Sequence, residues 1–209
     1  MQVVAIDGPS GSGKSTVAKA LAARLGIGHL DTGAMYRSVA FAALRRGIDP
    51  SDPVALARMV PDVELDLGDD VVMVDGIDAT AAIRGPEVTG VVSMVATVPE
   101  VRTEMVQRQR QWIEDHDGGV VEGRDIGSVV CPDADLKVFL TARLDVRAER
   151  RHGEDLDRDY ERVARQMVER DTTDSNRDAS PLTVADGALV VDTSELSVEE
   201  IVDRLAALL

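Results

Sequence analysis

At 209 residues the chain can bury the core of one full domain, with room for a small inserted lobe. Its net charge of -15 argues against a nucleic-acid or anionic-membrane surface, because both are polyanions that would repel it. One cysteine, Cys131, excludes an internal disulfide, no apolar run approaches membrane-spanning length, and the N-terminus enters the first strand directly, so a cytoplasmic protein is expected.

Val3-Val4-Ala5-Ile6 reads as a short buried strand. Gly8-Pro9-Ser10-Gly11-Ser12-Gly13-Lys14-Ser15-Thr16 follows with the phosphate-loop spacing, a glycine, four residues, then Gly-Lys-Ser. Glycines let the backbone curl so that consecutive N–H groups face one anion. Lys14 adds a mobile positive charge for the β- and γ-phosphates of ATP, and the Ser15 hydroxyl can ligate Mg2+. Val17, Ala18, Leu21, Ala22 and Leu25 then share one helical face. A helix starting near Lys14 aims its positive dipole end at the phosphates.

Gly26 to Leu30 is a short connection or strand, and Asp31 to Arg37 reads as a polar loop opening a helix that runs to about Arg46. Thr32, Tyr36 and Arg37 there form either a second ligand surface or, with Asp31 or Thr32 as a helix cap, a structural corner around a partly buried tyrosine. A turn at Gly47 to Pro53 leads to a short helix, Val54 to Val60. From Pro61 the texture changes: Val63 to Leu67 alternates, Val71 to Val74 is apolar, and Asp75-Gly76 turns before Ile77. This predicts a small antiparallel meander in an inserted lobe at 61–97, with a short helix after Pro86. Residues 1–60 and 98–209 would form the core around it.

Pro99 precedes a helix from Val101 to about Asp115 whose apolar arc is Val101, Met105, Val106, Trp112 and Ile113. The period puts Arg102 and Gln109 inside that arc, where an arginine must be paired, meet a ligand or snorkel outward. Gly118-Gly119 leads into Val120-Val121-Glu122-Gly123-Arg124-Asp125-Ile126-Gly127. Ligands of open α/β sheets sit at the carboxyl ends of such strands. Arg124 and Asp125 there offer a fork donor and an acceptor, or close the turn as a mutual ion pair. Leu136 to Leu140 is the next buried strand. Arg147, Arg150 and Arg151 cluster at a helix end beside Gly153, which suits a short flap at 147–160 carrying cations over a phosphate site. Arg170 to Arg177 reads as a polar loop, Ala188 to Val191 as the last strand, and Ser197 with Glu200 as the capping box of a terminal helix. The strand ending Val190-Val191-Asp192 is a weak candidate for a Mg2+-holding acid. Strands alternating with helices make this an α/β protein of the three-layer P-loop type, with a mainly parallel central sheet.

Asn176 precedes an arginine rather than the lysine of an Asn-Lys-x-Asp guanine reader, which argues against a GTPase switch. Compact length, arginine-rich flap and polar loops favour a kinase acting on a small, phosphate-bearing acceptor. Ile6 to Ser15, Asp31 to Arg37, Glu122 to Gly127 and Arg170 to Leu182, taken in order, resemble the bacterial cytidylate kinase family over nearly the whole chain. The resemblance implies phosphoryl transfer from Mg2+-ATP to CMP, and to dCMP; a monomer is expected. It implies that Thr32, Ser93, Arg102, Asp125 and Arg177 frame the cytosine, with Tyr36 in the same site. Arg170 and Asp174 would hold the ribose hydroxyls, and Arg37 and Arg124 the CMP phosphate. Lys14, Arg150 and Arg151 would be the catalytic cations, with Arg147 beside the loop at ATP. A phosphate acceptor with a second pKa of about 6 is largely ionised near neutrality and needs no general base.

Overall fold

The computed structural model describes residues 1–68, 71–153, 159–176 and 179–209, in two compact units. Met1–Leu30 with Trp112–Leu209 make the first, and Asp31–Gln111 the second.

The first unit is built on a five-stranded sheet in the order β2-β6-β1-β7-β8. The strands are β1 (Gln2–Asp7), β2 (His29–Asp31), β6 (Gly118–Gly123), β7 (Leu136–Thr141) and β8 (Leu189–Asp192). The β1–β6, β1–β7 and β7–β8 pairs are all parallel, with Ile6 opposite Glu122 and Val138. Val4, Ala5 and Ile6 have no exposure, as an apolar run in a central parallel strand must. Helix α1 (Lys14–Leu25) lays Val17, Ala18, Leu21 and Ala22 on this sheet, packed with Ile201, Val202 and Leu205 of α8 (Val198–Ala206). The expected capping box opens α8: Ser197 accepts from Glu200 N–H while the Glu200 carboxylate accepts from Ser197 N–H. Helices α6 (Leu144–Gly153) and α7 (Tyr160–Asn176) pack together through Ala148, Val163 and Met167.

The second unit carries helices α2 (Thr32–Arg45), α3 (Pro53–Met59) and α4 (Pro86–Val95) and most of α5 (Pro99–Asp115). Its small antiparallel sheet is the expected meander, β3 (Leu65–Leu67), β4 (Val72–Val74) and β5 (Ile77–Asp78). The unit is wider than a 61–97 lobe, because α2 packs on α4 and on the meander and so shares their core. Arg108 closes that core by donating to the carbonyls of Val63, Val60 and Pro61 while paired with Glu104.

Two stretches read as loops are helical. Thr32, Tyr36 and Arg37 lie within α2, which starts immediately after Asp31 because that carboxylate caps it, accepting from Ala34 N–H at 3.0 Å. Arg170 to Asn176 forms the end of α7, where the Thr172 and Thr173 hydroxyls donate back to the carbonyls of Val168 and Glu169. Polar composition suggested a loop, but hydroxyls that bond their own preceding turn are compatible with helix. Gly118 and Gly119 are also part of β6 rather than a lead-in to it.

Candidate active site

β1 ends at Asp7, and the chain curls through Gly8 (φ 149°), Gly11 (φ 73°) and Gly13 (φ 87°) into the first turn of α1. A Cβ on Gly8 would sit 2.0 Å from the Leu140 carbonyl oxygen, so the loop can pass the end of β7 only as glycine. Lys14 is buried and folds back, donating to the Pro9 carbonyl at 2.8 Å. Burial, reinforced by the charge of Arg124, pushes its ammonium down to about 7. The Ser15 hydroxyl donates to Glu122 at 2.9 Å, and Glu122 lies 3.2 Å from His29 Nε2 through its other oxygen.

Glu122 went unread in the sequence, although Val120-Val121-Glu122 is an apolar strand ending in an acid. Asp192 was read as a weak candidate for that part. It lies at the end of an edge strand, accepting from Ser194 N–H and hydroxyl, whereas Glu122 ends the strand beside β1 and is buried.

Asp7 is the second residue that sequence reasoning missed. Its two carboxylate oxygens accept from Ile126 N–H and Gly127 N–H, both at 2.8 Å, and so fix the turn that follows Arg124 and Asp125. Burial outweighs these amide bonds and pushes its carboxyl up to about 6. Asp125 is itself buried. Arg124 pairs with Asp174 of α7 at 2.9 Å. Arg170, one helical turn before Asp174, is held below its ordinary pKa, first by burial and then by the charge of Arg124. Its Nε is buried with no hydrogen-bond partner among the described residues.

Of the flap arginines, Arg147 donates to the carbonyls of Ala142 and Ser10 and pairs with Asp171. Arg150 donates to the hydroxyl and carbonyl oxygens of Thr193, and the Thr193 hydroxyl donates to Ser12 of the loop. Its guanidinium lies 3.7 Å from where a Cβ on Gly13 would be. Arg151 lies within electrostatic reach of Arg170. Of the stretch 147–160 expected as a flap, residues 147–153 end α6 and Tyr160 opens α7; residues 154–158, and Arg177, expected at the cytosine, lie outside the described residues.

The first unit thus gathers Lys14, Arg124, Arg147, Arg150, Arg151 and Arg170 with Asp125 and Asp174. Thr32, Tyr36, Arg37, Ser93 and Arg102 belong to the second unit. There Thr32 and Tyr36 share a face of α2, both buried, and the Arg102 guanidinium stacks 5.4 Å from the Tyr36 ring centroid while donating to Ala96 O. Arg37 donates to the Ile83 carbonyl and the Thr89 hydroxyl, and Ser93 is half-buried on α4.

A central parallel strand that runs straight into a phosphate loop, with an acid on the neighbouring strand and arginines on helices beyond it, defines a P-loop α/β phosphotransferase. The cytidylate kinase family model matches residues 4–209, so the chain belongs to that family. It is 47% identical over 211 residues to the cytidylate kinase of Streptomyces avermitilis, covering 99% of this chain and 91% of that one. To the cytidylate kinase of Nocardia farcinica it is 49% identical over 212 residues, covering 98% and 91%. A crystal structure of a gluconokinase from Sinorhizobium meliloti superposes with a TM-score of 0.51 at 18% identity, covering 99% and 91%, a likeness of fold alone.

Proposed function

We propose that this chain transfers the γ-phosphoryl group of ATP to CMP, giving CDP and ADP, and that it accepts dCMP as well. The observation that carries the reading is the nearness of Lys14 to Arg124. Asp7 and Gly123 are register partners, so the phosphate loop and Arg124 leave adjacent ends of β1 and β6, and the charge of Arg124 helps push the Lys14 ammonium down. Two cations at adjacent strand ends suit two phosphates brought to one place, which is what phosphoryl transfer requires.

The roles divide as follows. Gly8 to Thr16 takes the ATP phosphates on backbone N–H groups and Lys14. Arg124, Arg170 and Asp174 take the phosphate and ribose of CMP, and Asp125 meets the amino group of cytosine. Arg102, Thr32, Tyr36, Arg37 and Ser93 contribute the remaining acceptor contacts, as does Arg177. Arg150 and Arg151 neutralise charge that develops on the transferred group. No group has to remove a proton, because the acceptor is an ionised phosphate.

The donor set suits Mg2+. Among the described residues no three His, Cys, Asp or Glu side chains form a cage, but Mg2+ commonly takes one or two protein oxygens together with phosphates and waters. Ser15 would hold it, with Glu122 accepting from the Ser15 hydroxyl. When bound, Mg2+ neutralises charge on the β- and γ-phosphate oxygens. No helix among the described residues is long and apolar enough to cross a membrane, and we place the enzyme in the cytoplasm as a monomer without nucleic-acid partners.

A coupled ADP-release assay across CMP, dCMP, UMP, AMP and shikimate tests the reading. The expected result is turnover with CMP and dCMP at the highest kcat/KM of the panel. Preference for AMP or shikimate would contradict it.

A further inference from the structure

We infer that Asp171 is a positioning residue of the phosphate loop, holding the shape of the ATP site without touching ATP. Its Oδ1 accepts from Ser10 N–H at 3.2 Å, and its Oδ2 accepts from Arg147 Nη1 at 2.5 Å. The same Arg147 nitrogen donates to the Ser10 carbonyl at 3.0 Å. Asp171, Arg147 and Ser10 therefore close a ring in which one loop residue is held by its backbone groups on both sides. The two charged side chains are only 18% and 11% exposed, so their attraction is little screened.

The loop needs such a hold. Ser10 lies within a segment flanked by Gly8 and Gly11, both at positive φ, and glycine restrains a backbone less than any other residue. α1 fixes the loop only from Lys14 onward. Before that point the wall is made by α6 and α7. A Cβ on Gly11 would lie 2.8 Å from Met167 Cε and 2.9 Å from the Arg147 carbonyl oxygen. Met167 lies one turn before Asp171 on α7, so one helical face both fills the space behind the loop and bonds it.

A merely structural role is the alternative: the Arg147–Asp171 pair would staple α6 to α7, and its loss would lower stability without selecting a substrate. The two roles differ in what they do to ATP and CMP separately. Because the inference rests on the phosphate loop binding ATP, binding of a non-hydrolysable ATP analogue is measured calorimetrically without acceptor, so its outcome stands whether or not CMP is the acceptor. Asp171→Ala is expected to weaken the analogue about tenfold, the usual weight of a hydrogen bond to a charged group, with CMP affinity within about threefold of the parent. Asp171→Asn keeps an acceptor for Ser10 N–H while losing the ion pair. It is expected to recover part of the analogue affinity, and it carries the test with a loss of about threefold if the alanine variant does not fold. Analogue affinity equal to the parent's in the folded variants overturns the inference, even if Tm falls. An equal loss for the analogue and CMP overturns it too.

Discussion

The phosphate loop is a run of consecutive residues, whereas the inner face of α7 works through partners far off in sequence. Asp171 reaches Arg147 across 24 positions and Ser10 across 161, and Asp174 reaches Arg124 across 50. The loop takes its turns from glycine backbone angles and its later half from the start of α1, with Ser10 held from α6 and α7. The α7 face is shaped by ion pairs, each of which exists only while both partners do. Damage to the first should abolish transfer for every acceptor. Damage to the second should redistribute affinity among substrates.

Lys14→Ala should show the largest effect. Removing one preorganised charge contact costs about 3–4 kcal/mol in the transition state, a loss of turnover of at least about a hundredfold for every acceptor. The fold should survive, since among the described residues the ammonium donates to the Pro9 carbonyl of the loop itself. Turnover within threefold of the parent, checked with circular dichroism alongside, would remove Lys14 from the mechanism.

Asp174→Ala comes next and tests the ion-pair half of the contrast. Because Asp174 also holds Arg124, its loss should weaken both CMP and dCMP in kcat/KM, by about 2–3 kcal/mol for CMP. CMP should suffer more, since deoxyribose lacks the 2′-hydroxyl that the carboxylate would accept from. Equal losses would leave Asp174 as a holder of Arg124 alone.

Asp125→Asn sharpens the difference at the base. A carboxylate only accepts, so it pairs with the amino group of cytosine and opposes the carbonyl of uracil. The amide adds a donor, and the CMP-over-UMP preference should shrink by about 1–3 kcal/mol. If CMP and UMP fall together, Asp125 is not reading the base.

The smallest effect is on stability and belongs to Asp7, which ties the end of β1 to the turn after Asp125. Its carboxyl is raised to about 6, so the folded chain holds this proton more tightly than the unfolded chain does. The stabilisation it brings is complete below the unfolded value of 3.8 and is lost as pH rises through about 6. Asp7→Asn does not titrate, and its stability deficit should shrink by on the order of 1–2 kcal/mol between pH 4.5 and pH 7. Urea denaturation at the two pH values measures this, and a constant deficit would mean that Asp7 is ionised throughout.

The same contrast explains what could be read from the sequence. The loop, its strand and α1 were legible because spacing, glycine chemistry and one helical face all lie within consecutive residues. The inward placement of Arg102 and Gln109 was legible too, since period alone puts them in the arc of α5. Asp7 and Asp171 were not, because nothing local marks a carboxylate whose partner lies over a hundred residues away. Glu122 had a local signal, an acid closing an apolar strand, but which strand lies next to β1 is decided by topology. The helical nature of Arg170 to Asn176 was hidden by its Thr, Asp and Ser content, residues that favour loops only when their side chains compete with the helix.

The account's central claim is that Lys14 and Arg124 serve two different phosphates of one reaction. Arg124→Met tests it most directly, with KM for each substrate measured at saturating levels of the other. The account predicts that KM for CMP rises at least about tenfold, the weight of one charged phosphate contact, while KM for ATP stays within about threefold of the parent. A rise in KM for ATP as large as that for CMP would contradict it, placing both cations on the same phosphate group.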